Sequence, residues 1–265
     1  MSFGSLKNSE VAVLVLSTRS EKYDAFREAV YSAWLKRLSD EGVVCYFYAG
    51  DYPKENIFSH NIGLTVPDRL CDTAEKLVAA ITVLLRTYPD IKLIYRTNLS
   101  SFVEPVNFLA YIKRHQLGTD SYCGVVGTTT LLREKLYGRW WLHNIVRLLR
   151  LGRPIQFASG SGFFIGINHV KKLLHGPTDL SLIDDVMVGK ALSCITKECQ
   201  APPRFDILEQ GRHKISRDDY LRLVHEDLLF HYRFKTSDRT NDAHILREFS
   251  DPEFRMKCCT GDVCE

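Results

Sequence analysis

The sequence predicts an α/β fold: a single domain with a Rossmann-like, mixed but mostly parallel central sheet flanked by helices. Short apolar runs rich in β-branched residues, such as VAVLVL, alternate with longer segments whose apolar residues recur at helical spacing. No internal repeat, low-complexity tract or Gly/Ser linker divides the 265 residues. Because 45% of the residues are hydrophobic, the chain can bury a full core.

The first three elements are expected within residues 11–51. The unbroken run Val11 to Leu16 predicts a strand buried on both faces. Apolar residues at helical spacing predict a helix over Glu21 to Leu38, and Gly42 follows its end. The run VVCYFYAGD predicts a second strand over Val43 to Asp51.

A capping pattern and an apolar stripe predict the next helix. Asp72 with Glu75 resembles a capping box, and the stripe continues until Pro89 ends the helix. The run Ile91 to Thr97 predicts a third strand, and Pro105 suits the first position of a further helix. Polar residues follow the third strand, and open α/β sheets bind ligands at the carboxyl ends of their strands.

Glycines alternate with aromatic residues in the segment FASGSGFFIGINHVKKLLHGP. They predict close approach of the backbone to a ligand, with a plain tight turn as the alternative. A short helix should follow, with Asn168 as its N-cap and with Gly176 and Pro177 at its end.

Charge and hydropathy exclude two classes of function. With 35 basic and 32 acidic residues the formal net charge is +3, a balance that does not indicate a nucleic-acid-binding protein. The longest apolar run, Leu77 to Leu85, is too short to cross a membrane. Because the first ten residues are polar, we expect neither a signal peptide nor a membrane anchor, and therefore a cytoplasmic protein.

Eight cysteines are too few for a disulfide scaffold in a chain of this length. Cys45, Cys71 and Cys123 fall in or beside apolar stretches, which predicts buried free thiols. The other five lack the two CxxC pairs of a strong zinc site. We expect mostly free thiols, with a disulfide that ties down the C-terminal tail as the alternative.

Four segments occur in an order that points to one group of enzymes. They are RTNLSSFV, FASGSGFFIG, LIDDVMVG and LLFHYRFK. In this order they resemble the Fringe and β-1,3-galactosyltransferase group of glycosyltransferases, over about Val11 to Asp242. The resemblance implies a GT-A fold, with a nucleotide-sugar-binding part at about 11–127, an acceptor and catalytic part at about 128–245 and a tail at 246–265.

The resemblance also implies the reaction. A sugar would pass from a nucleotide sugar, expected to be UDP-linked, to a hydroxyl of a glycan, glycoprotein or glycolipid, with inversion at the anomeric carbon. The short form without an anchor resembles a soluble, virus-encoded relative of the Golgi enzymes, acting in the cytoplasm of an infected host cell. The alternative is a catalytically degenerate relative that binds a glycan or a nucleotide without turnover.

Two adjacent carboxylates are the expected catalytic groups. The family's acidic-Asp-Val segment aligns with Asp184 and Asp185, which makes Asp185 the expected general base, with Asp184 orienting it or the acceptor. On the residues alone both would suit a helix cap, because DDVMVGKAL begins like a helix.

The family's metal-binding Asp-x-Asp motif is replaced here by Asn98, Leu99 and Ser100. Hard divalent ions such as Mn²⁺ and Mg²⁺ prefer anionic oxygen ligands, and no carboxylate remains at this position. In one alternative His231, aligned with the family's late metal-binding histidine, holds a weakly bound ion together with Asn98 and Ser100. In the other, which we favour slightly, protein cations replace the metal.

The candidate cations for diphosphate contacts lie at the end of the third strand or in the segment HYRFKTSDR. They are Arg96, Arg233, Lys235 and Arg239. A solvated charged face is the ordinary alternative for the HYRFKTSDR segment.

The remaining candidates contact the nucleotide or the acceptor. Ser17, Thr18 and Arg19 follow the first strand and Asp51 follows the second, where the family contacts base and ribose, although each suits a turn equally well. The expected acceptor contacts are Trp140, Trp141, Ser159, Gly160, Ser161 and Gly162. The two adjacent tryptophans cannot share one face of an element, so an exposed ring would stack on a sugar, with packing under a loop as the alternative.

Overall fold

A computed structural model describes residues 6–131, 154–192, 202–208, 214–235 and 239–261 of the chain. Its ten described strands are β1 (Val11–Leu16), β2 (Val44–Ala49), β3 (Asn56–Phe58), β4 (Asn61–Gly63), β5 (Leu93–Asn98), β6 (Ser101–Val103), β7 (Tyr122–Thr130), β8 (Pro154–Gly166), β9 (Arg204–Leu208) and β10 (His231–Lys235). Strands and helices alternate through these ranges, so the predicted α/β class is confirmed.

The described α-helices flank the strands. They are α1 (Asp24–Val30), α2 (Lys36–Asp40), α3 (Thr73–Thr87), α4 (Pro105–Arg114), α5 (Ile167–His175), α6 (Asp184–Leu192), α7 (Arg217–His225), α8 (Arg239–Glu248) and α9 (Pro252–Thr260). A π-helical turn at Tyr31–Leu35 joins α1 to α2, so the predicted first helix forms with a local widening. Within the described ranges no helix has the length and apolar character needed to span a membrane.

The main sheet has seven strands in the order β3-β4-β2-β1-β5-β8-β7. β1 pairs in parallel with β2 and β5, and β2 pairs in parallel with β4. β3 is antiparallel to β4, and β8 is antiparallel to both β5 and β7. The carboxyl ends of β1, β2, β4 and β5 therefore share one edge, the usual place of a ligand site in such sheets.

β1 is buried on both faces, which explains its unbroken apolar run. Val13 and Val15 belong to one hydrophobic cluster with Trp34 of the π-helical turn. Ala12 and Leu14 belong to a second cluster with residues of α3. Because successive strand residues point to opposite faces, each cluster takes every second side chain of β1.

A second sheet has three strands in the order β6-β10-β9. Residues of β10 alternate between two environments: Tyr232 and Phe234 pack against Phe249 in the first core cluster, whereas His231 and Arg233 lie on the opposite face. His231 is 1% exposed. Within the segment HYRFKTSDR, residues 231–235 form the central strand of this sheet, so the buried side chains of His231, Tyr232 and Phe234 do not belong to a solvated charged face.

Two local predictions and one of the alternatives are wrong. Asp72 precedes α3, but its carboxylate pairs with Arg69 and makes no capping hydrogen bond. Asn168 lies inside α5, whose N-cap is Gly166, and its amide donates to Asp120 at 2.8 Å. The glycine-rich segment forms strand β8 rather than a tight turn.

Two other local predictions are confirmed. Pro105 is the first residue of α4, where its missing N–H costs no hydrogen bond, and Glu104 caps this helix by accepting from the Asn107 N–H at 2.8 Å. Gly176 is the C-cap of α5.

The cysteines follow the prediction only in part. Cys45 is buried and free, and burial raises its pKa, whereas Cys71 is free but exposed. Cys123 is disulfide-bonded, so the expectation of a free thiol is wrong at this position.

Candidate active site

The candidate active site lies where β5 ends against the middle of β8 and the first turn of α6. β5 pairs with β8 as far as Thr97 opposite Gly162. On its other side, β8 pairs with β7 from Ile165 to Phe163, and beyond the bulge between Gly124 and Val126 pairing resumes at Ala158. The segment from Ser159 to Ser161 is therefore outside both strand ladders, and its backbone groups bond to side chains instead.

A buried ion pair underlies this segment. Arg96 of β5 pairs with Asp184 of α6, donates to the Gly160 carbonyl and donates to the Tyr48 hydroxyl at 3.3 Å. Both charged side chains are nearly inaccessible to solvent, at 3% for Arg96 and 6% for Asp184. The predicted diphosphate contact at Arg96 therefore has its charge neutralised inside the protein.

The carboxylate is the member of this pair that titrates. Burial raises the pKa of Asp184 to about 6, even though the positive charge of Arg96 lowers it. Burial also acts to lower the pKa of Arg96, but Asp184 and Tyr48 outweigh that effect and hold it above its ordinary value. Arg96 consequently stays charged throughout the accessible pH range.

Asp185 is held by two backbone N–H groups. Gly160 donates to its Oδ2 at 2.7 Å and Val186 donates to its Oδ1 at 2.8 Å. The prediction that the two carboxylates only cap a helix therefore applies in part. One oxygen of Asp185 accepts from α6, while its other oxygen and the Asp184 carboxylate bind residues of β8 and β5.

Gly160 links the two carboxylates through its peptide groups. Its carbonyl accepts from Arg96, which pairs with Asp184, and its N–H donates to Asp185. A Cβ at this position would lie 2.9 Å from Nη1 of Arg96 and 3.0 Å from Oδ2 of Asp185. The lack of a side chain at Gly160 therefore makes room for these two charged side chains, and the predicted approach of the backbone to a ligand stays a prediction.

The residues in place of the Asp-x-Asp motif form a turn. Oδ1 of Asn98 accepts from the Ser100 N–H at 3.1 Å and the Ser100 hydroxyl at 2.7 Å, and the Ser101 hydroxyl lies 3.3 Å from it. Leu99 between them is buried in the core. The amide oxygen of Asn98 is thus engaged by donors of its own turn.

His231 is buried beneath this turn. Its Nε2 lies 3.0 Å from the Ser101 hydroxyl. Burial, together with the nearby positive charges of Arg204 and Arg233, lowers the pKa of His231 to about 3. The described residues contain no cluster of three or more histidine, cysteine, aspartate or glutamate side chains that could hold a metal ion.

Ser161 and Gly162, predicted as acceptor contacts, lie inside the protein. The Ser161 carbonyl accepts from the Thr97 hydroxyl at 2.6 Å and from the Ser101 hydroxyl at 3.2 Å. Tyr95 and His231 fill the space beside Gly162. Ser161 and Gly162 are therefore buried beneath the site, whereas Ser159 and Gly160 are half-buried at its border.

Sequence reasoning missed Arg204. Its Nη1 donates to the Ser161 hydroxyl at 2.6 Å, and its Nε pairs with Asp206 at 2.9 Å. Arg204 lies opposite His231 in the sheet, and Asp206 lies opposite Arg233. The alternating pattern RFDIL could have indicated a strand with one polar face, but only strand pairing brings that face to β8.

A cavity of about 280 Å³ opens at the carboxyl ends of β1 and β2, beside the first residue of β4. Its lining includes Ser17, Thr18, Arg19, Tyr52 and Asn61. The Arg19 guanidinium donates to the Asp51 carbonyl and lies 4.6 Å from the centre of the Tyr52 ring. The Ser17 hydroxyl is buried and has no hydrogen-bond partner in the described part of the chain.

A buried carboxylate shapes the loop beside this cavity. Asp68 accepts from the Thr18 hydroxyl at 2.6 Å, from the Arg19 N–H at 2.8 Å and from the Lys76 ammonium at 2.8 Å. Burial opposes ionisation of Asp68, but these hydrogen bonds outweigh it and keep its pKa below the usual value. Asp51, Thr18, Arg19 and Asp68 line an adjoining cavity of about 450 Å³.

The fold thus brings most of the predicted residues to one edge of the main sheet. Those at β5, β8 and α6 form the carboxylate site, and those after β1 and β2 line the two cavities. Trp140 and Trp141 lie outside the described residues, as do the side chains of Lys235 and Arg239.

Comparisons with known proteins give no family for this chain. No protein-family model matches it, and no curated protein matches it.

Proposed function

We propose that the protein is a GT-A-type glycosyltransferase that moves a sugar from a UDP-sugar to an acceptor hydroxyl, with inversion and with Asp185 as the general base. The observation that carries this proposal is the fixed carboxylate of Asp185, held by Gly160 and Val186 at the edge where ligands of α/β sheets bind. The mixed sheet with helices on both sides is consistent with the GT-A fold implied by the sequence resemblance.

The geometry of Asp185 suits proton abstraction. Its backbone contacts fix the carboxylate before an acceptor binds, and such preorganisation keeps a base aligned with the proton it removes. In the proposed step Asp185 takes the proton from the acceptor hydroxyl while that oxygen bonds to the anomeric carbon. The bond from the anomeric carbon to the diphosphate breaks on the opposite side, and the diphosphate keeps the electron pair.

The cavity after β1 suits the uridine part of the donor. The Ser17 hydroxyl needs a hydrogen-bond partner, and the edge of a uracil ring offers both donors and acceptors. The Asn61 amide and the Tyr52 ring, which also line this cavity, add polar and apolar contacts of the kinds that small-molecule sites combine.

Donor binding is tested by calorimetry on the full chain with a panel of UDP-sugars and GDP-sugars, followed by a hydrolysis assay on any sugar nucleotide that binds. We expect selective binding of one UDP-sugar and its slow hydrolysis. Binding without hydrolysis or transfer would instead support a degenerate binding protein. The absence of any nucleotide binding would refute the proposal.

The role of Asp185 is tested with Asp185→Asn, using Asp218→Asn on the exposed surface of α7 as the matched control. The amide cannot accept the proton, so transfer should fall at least about a hundredfold while donor affinity changes little. The control should behave like the wild type. Equal turnover by Asp185→Asn would exclude this residue as the base.

A further inference from the structure

The cavity at the end of β1 continues one face of the main sheet beyond the core. Val15 pairs with Phe47 and Phe47 pairs with Asn61 across β1, β2 and β4, so these three side chains lie on the same face of the sheet. Val15 and Phe47 belong to the first core cluster. Two residues further along β1 and β2, Ser17 and Ala49 follow on that face and line the cavity. The apolar row of the core therefore ends in a small residue with a polar side chain on each side.

The two polar side chains on this face lack partners. Ser17 is 5% exposed, and its hydroxyl makes no hydrogen bond to any described residue. The Asn61 amide, which carries both donors and an acceptor, also makes none in the part of the chain that the structure describes. Buried polar groups in proteins are normally hydrogen-bonded. Unpaired groups that line a cavity therefore point to a ligand with complementary groups.

The backbone that carries Asn61 is held in place. The preceding carbonyl, that of His60, accepts from the Phe47 N–H at 2.9 Å, and the His60 Nε2 lies 2.6 Å from the Tyr31 hydroxyl. Tyr31 begins the π-helical turn, so this contact joins the β3–β4 hairpin to the helices that cover the sheet. The Asn61 side chain thus starts from a fixed position, which suits a residue that recognises a ligand.

Two arginines line the wall of the cavity, and the protein itself engages both. Arg27 pairs with Asp24 and donates to the Thr18 carbonyl. The Arg19 guanidinium lies over the Tyr52 ring, 4.6 Å from its centre. A guanidinium plane is a surface on which a nucleobase can stack. The wall therefore offers a flat surface to an aromatic ring, and Ser17 and Asn61 offer hydrogen bonds to its edge.

We propose that Asn61 recognises the uracil base of the donor: its Oδ1 accepts from the ring N3–H, and its Nδ2 donates to a neighbouring ring carbonyl. This inference rests on the proposed function, because it concerns the base of the same donor. Uracil carries its N3–H directly between two carbonyls, so a planar amide can form both hydrogen bonds at once. A nucleoside that lies across Ala49 then places its other polar side towards the Ser17 hydroxyl.

Calorimetry with UDP and with N3-methyl-UDP tests this contact on the full chain. The added methyl group removes the hydrogen that Asn61 accepts and leaves the ribose and the diphosphate unchanged. We expect the wild type to bind N3-methyl-UDP at least about tenfold more weakly than UDP, because one hydrogen bond is lost and a polar group of the protein is left unpaired.

Two variants extend this experiment. Asn61→Ala should weaken UDP binding by about tenfold and bring the affinities for UDP and N3-methyl-UDP to within about a factor of two of each other. Asn168→Ala, at an exposed asparagine of α5, is the matched control and should keep the wild-type difference between the two ligands. The wild-type comparison does not depend on whether either variant folds.

The outcomes separate the two proposals. Equal affinity of the wild type for UDP and N3-methyl-UDP, or a difference that persists in Asn61→Ala, would overturn this inference and leave the proposed function standing. Failure of UDP to bind the wild type at all would overturn the proposed function as well.

Discussion

Replacing Arg96 by methionine tests the buried ion pair on which the candidate active site is built. The substitution keeps a long side chain but leaves Asp184 buried without its cation. It also removes the charged hydrogen bond to the Gly160 carbonyl, which is worth about 1.5–3 kcal/mol, and the longer contact to the Tyr48 hydroxyl at 3.3 Å, which contributes little. The loss in stability therefore has one part from hydrogen bonding and one part from Asp184.

The loss of folding stability that comes from leaving Asp184 without its cation has an upper limit. The pKa of this carboxyl is raised from 3.8 to about 6 in the folded protein, so it already costs about 3 kcal/mol of stability at pH 7. Without Arg96 its pKa rises further, but protonation at pH 7 limits the extra cost to about one pKa unit, or about 1.4 kcal/mol. The expected total loss is about 3–4 kcal/mol at pH 7.

The sign of the pH dependence follows from the direction of the shift. Because the folded-state pKa of Asp184 is raised, its contribution to stability is fully present below pH 3.8 and is lost as the pH rises through about 6. At pH 5 Asp184 is mostly protonated with or without Arg96. The difference in stability between wild type and Arg96→Met should therefore be about 1.4 kcal/mol smaller at pH 5 than at pH 7.

Urea unfolding at pH 5, 6 and 7 measures this difference. Arg86→Met, at an exposed arginine of α3, is the control and should change stability by no more than about 0.5 kcal/mol. The double variant with Asp184→Asn should be more stable than the sum of the single losses, because neither charge is left alone. A loss that is the same at pH 5 and pH 7, or larger at pH 5, would refute the reasoning.

Three further predictions test other parts of the structure. Gly160→Ala places a methyl group against the ion pair and the proposed base. The rate of sugar transfer should therefore fall at least about tenfold, while the affinity for the donor is retained. An unchanged rate would show that this contact does not position the base. Asp68→Asn leaves the buried Lys76 without its carboxylate and weakens the contacts that hold the loop after β1. The free energy of unfolding, measured in urea, should fall by about 3–5 kcal/mol, and UDP should bind more weakly. An unchanged midpoint of urea unfolding would contradict a stabilising buried pair. In native protein a thiol reagent should label Cys71 rapidly and Cys45 only on unfolding, and mass spectrometry showing equal labelling would contradict their different burial.

Local patterns in the sequence were sufficient to predict the framework of the fold. The unbroken run Val11 to Leu16 is a strand because every side chain must be buried on one of two covered faces. Pro105 begins a helix because its fixed backbone angle and missing N–H suit that position. Both predictions depend on neighbours in the chain and on burial alone, so no knowledge of distant contacts was needed.

Only the tertiary structure decided how the glycine-rich segment and the helix starts are built. β8 is a strand because β5 and β7 provide partners on its two sides, and its glycines make room for side chains that come from other elements. Asp72 and Asn168 resemble caps, but Arg69 and Asp120 lie within reach of their side chains and bind them instead. Competition between local and distant partners cannot be read from local sequence.

In the candidate site, too, some features could be predicted from the sequence and others were decided by the tertiary structure. On the residues alone Asp184 and Asp185 suited a helix cap, and only the resemblance to a family indicated them as catalytic candidates. Pairing of strands distant in sequence was required to bury Arg96 against Asp184 and to bring Arg204 across to β8. Charge on a side chain can be read from the sequence, but whether that charge is neutralised or available to a ligand depends on the groups that folding places around it.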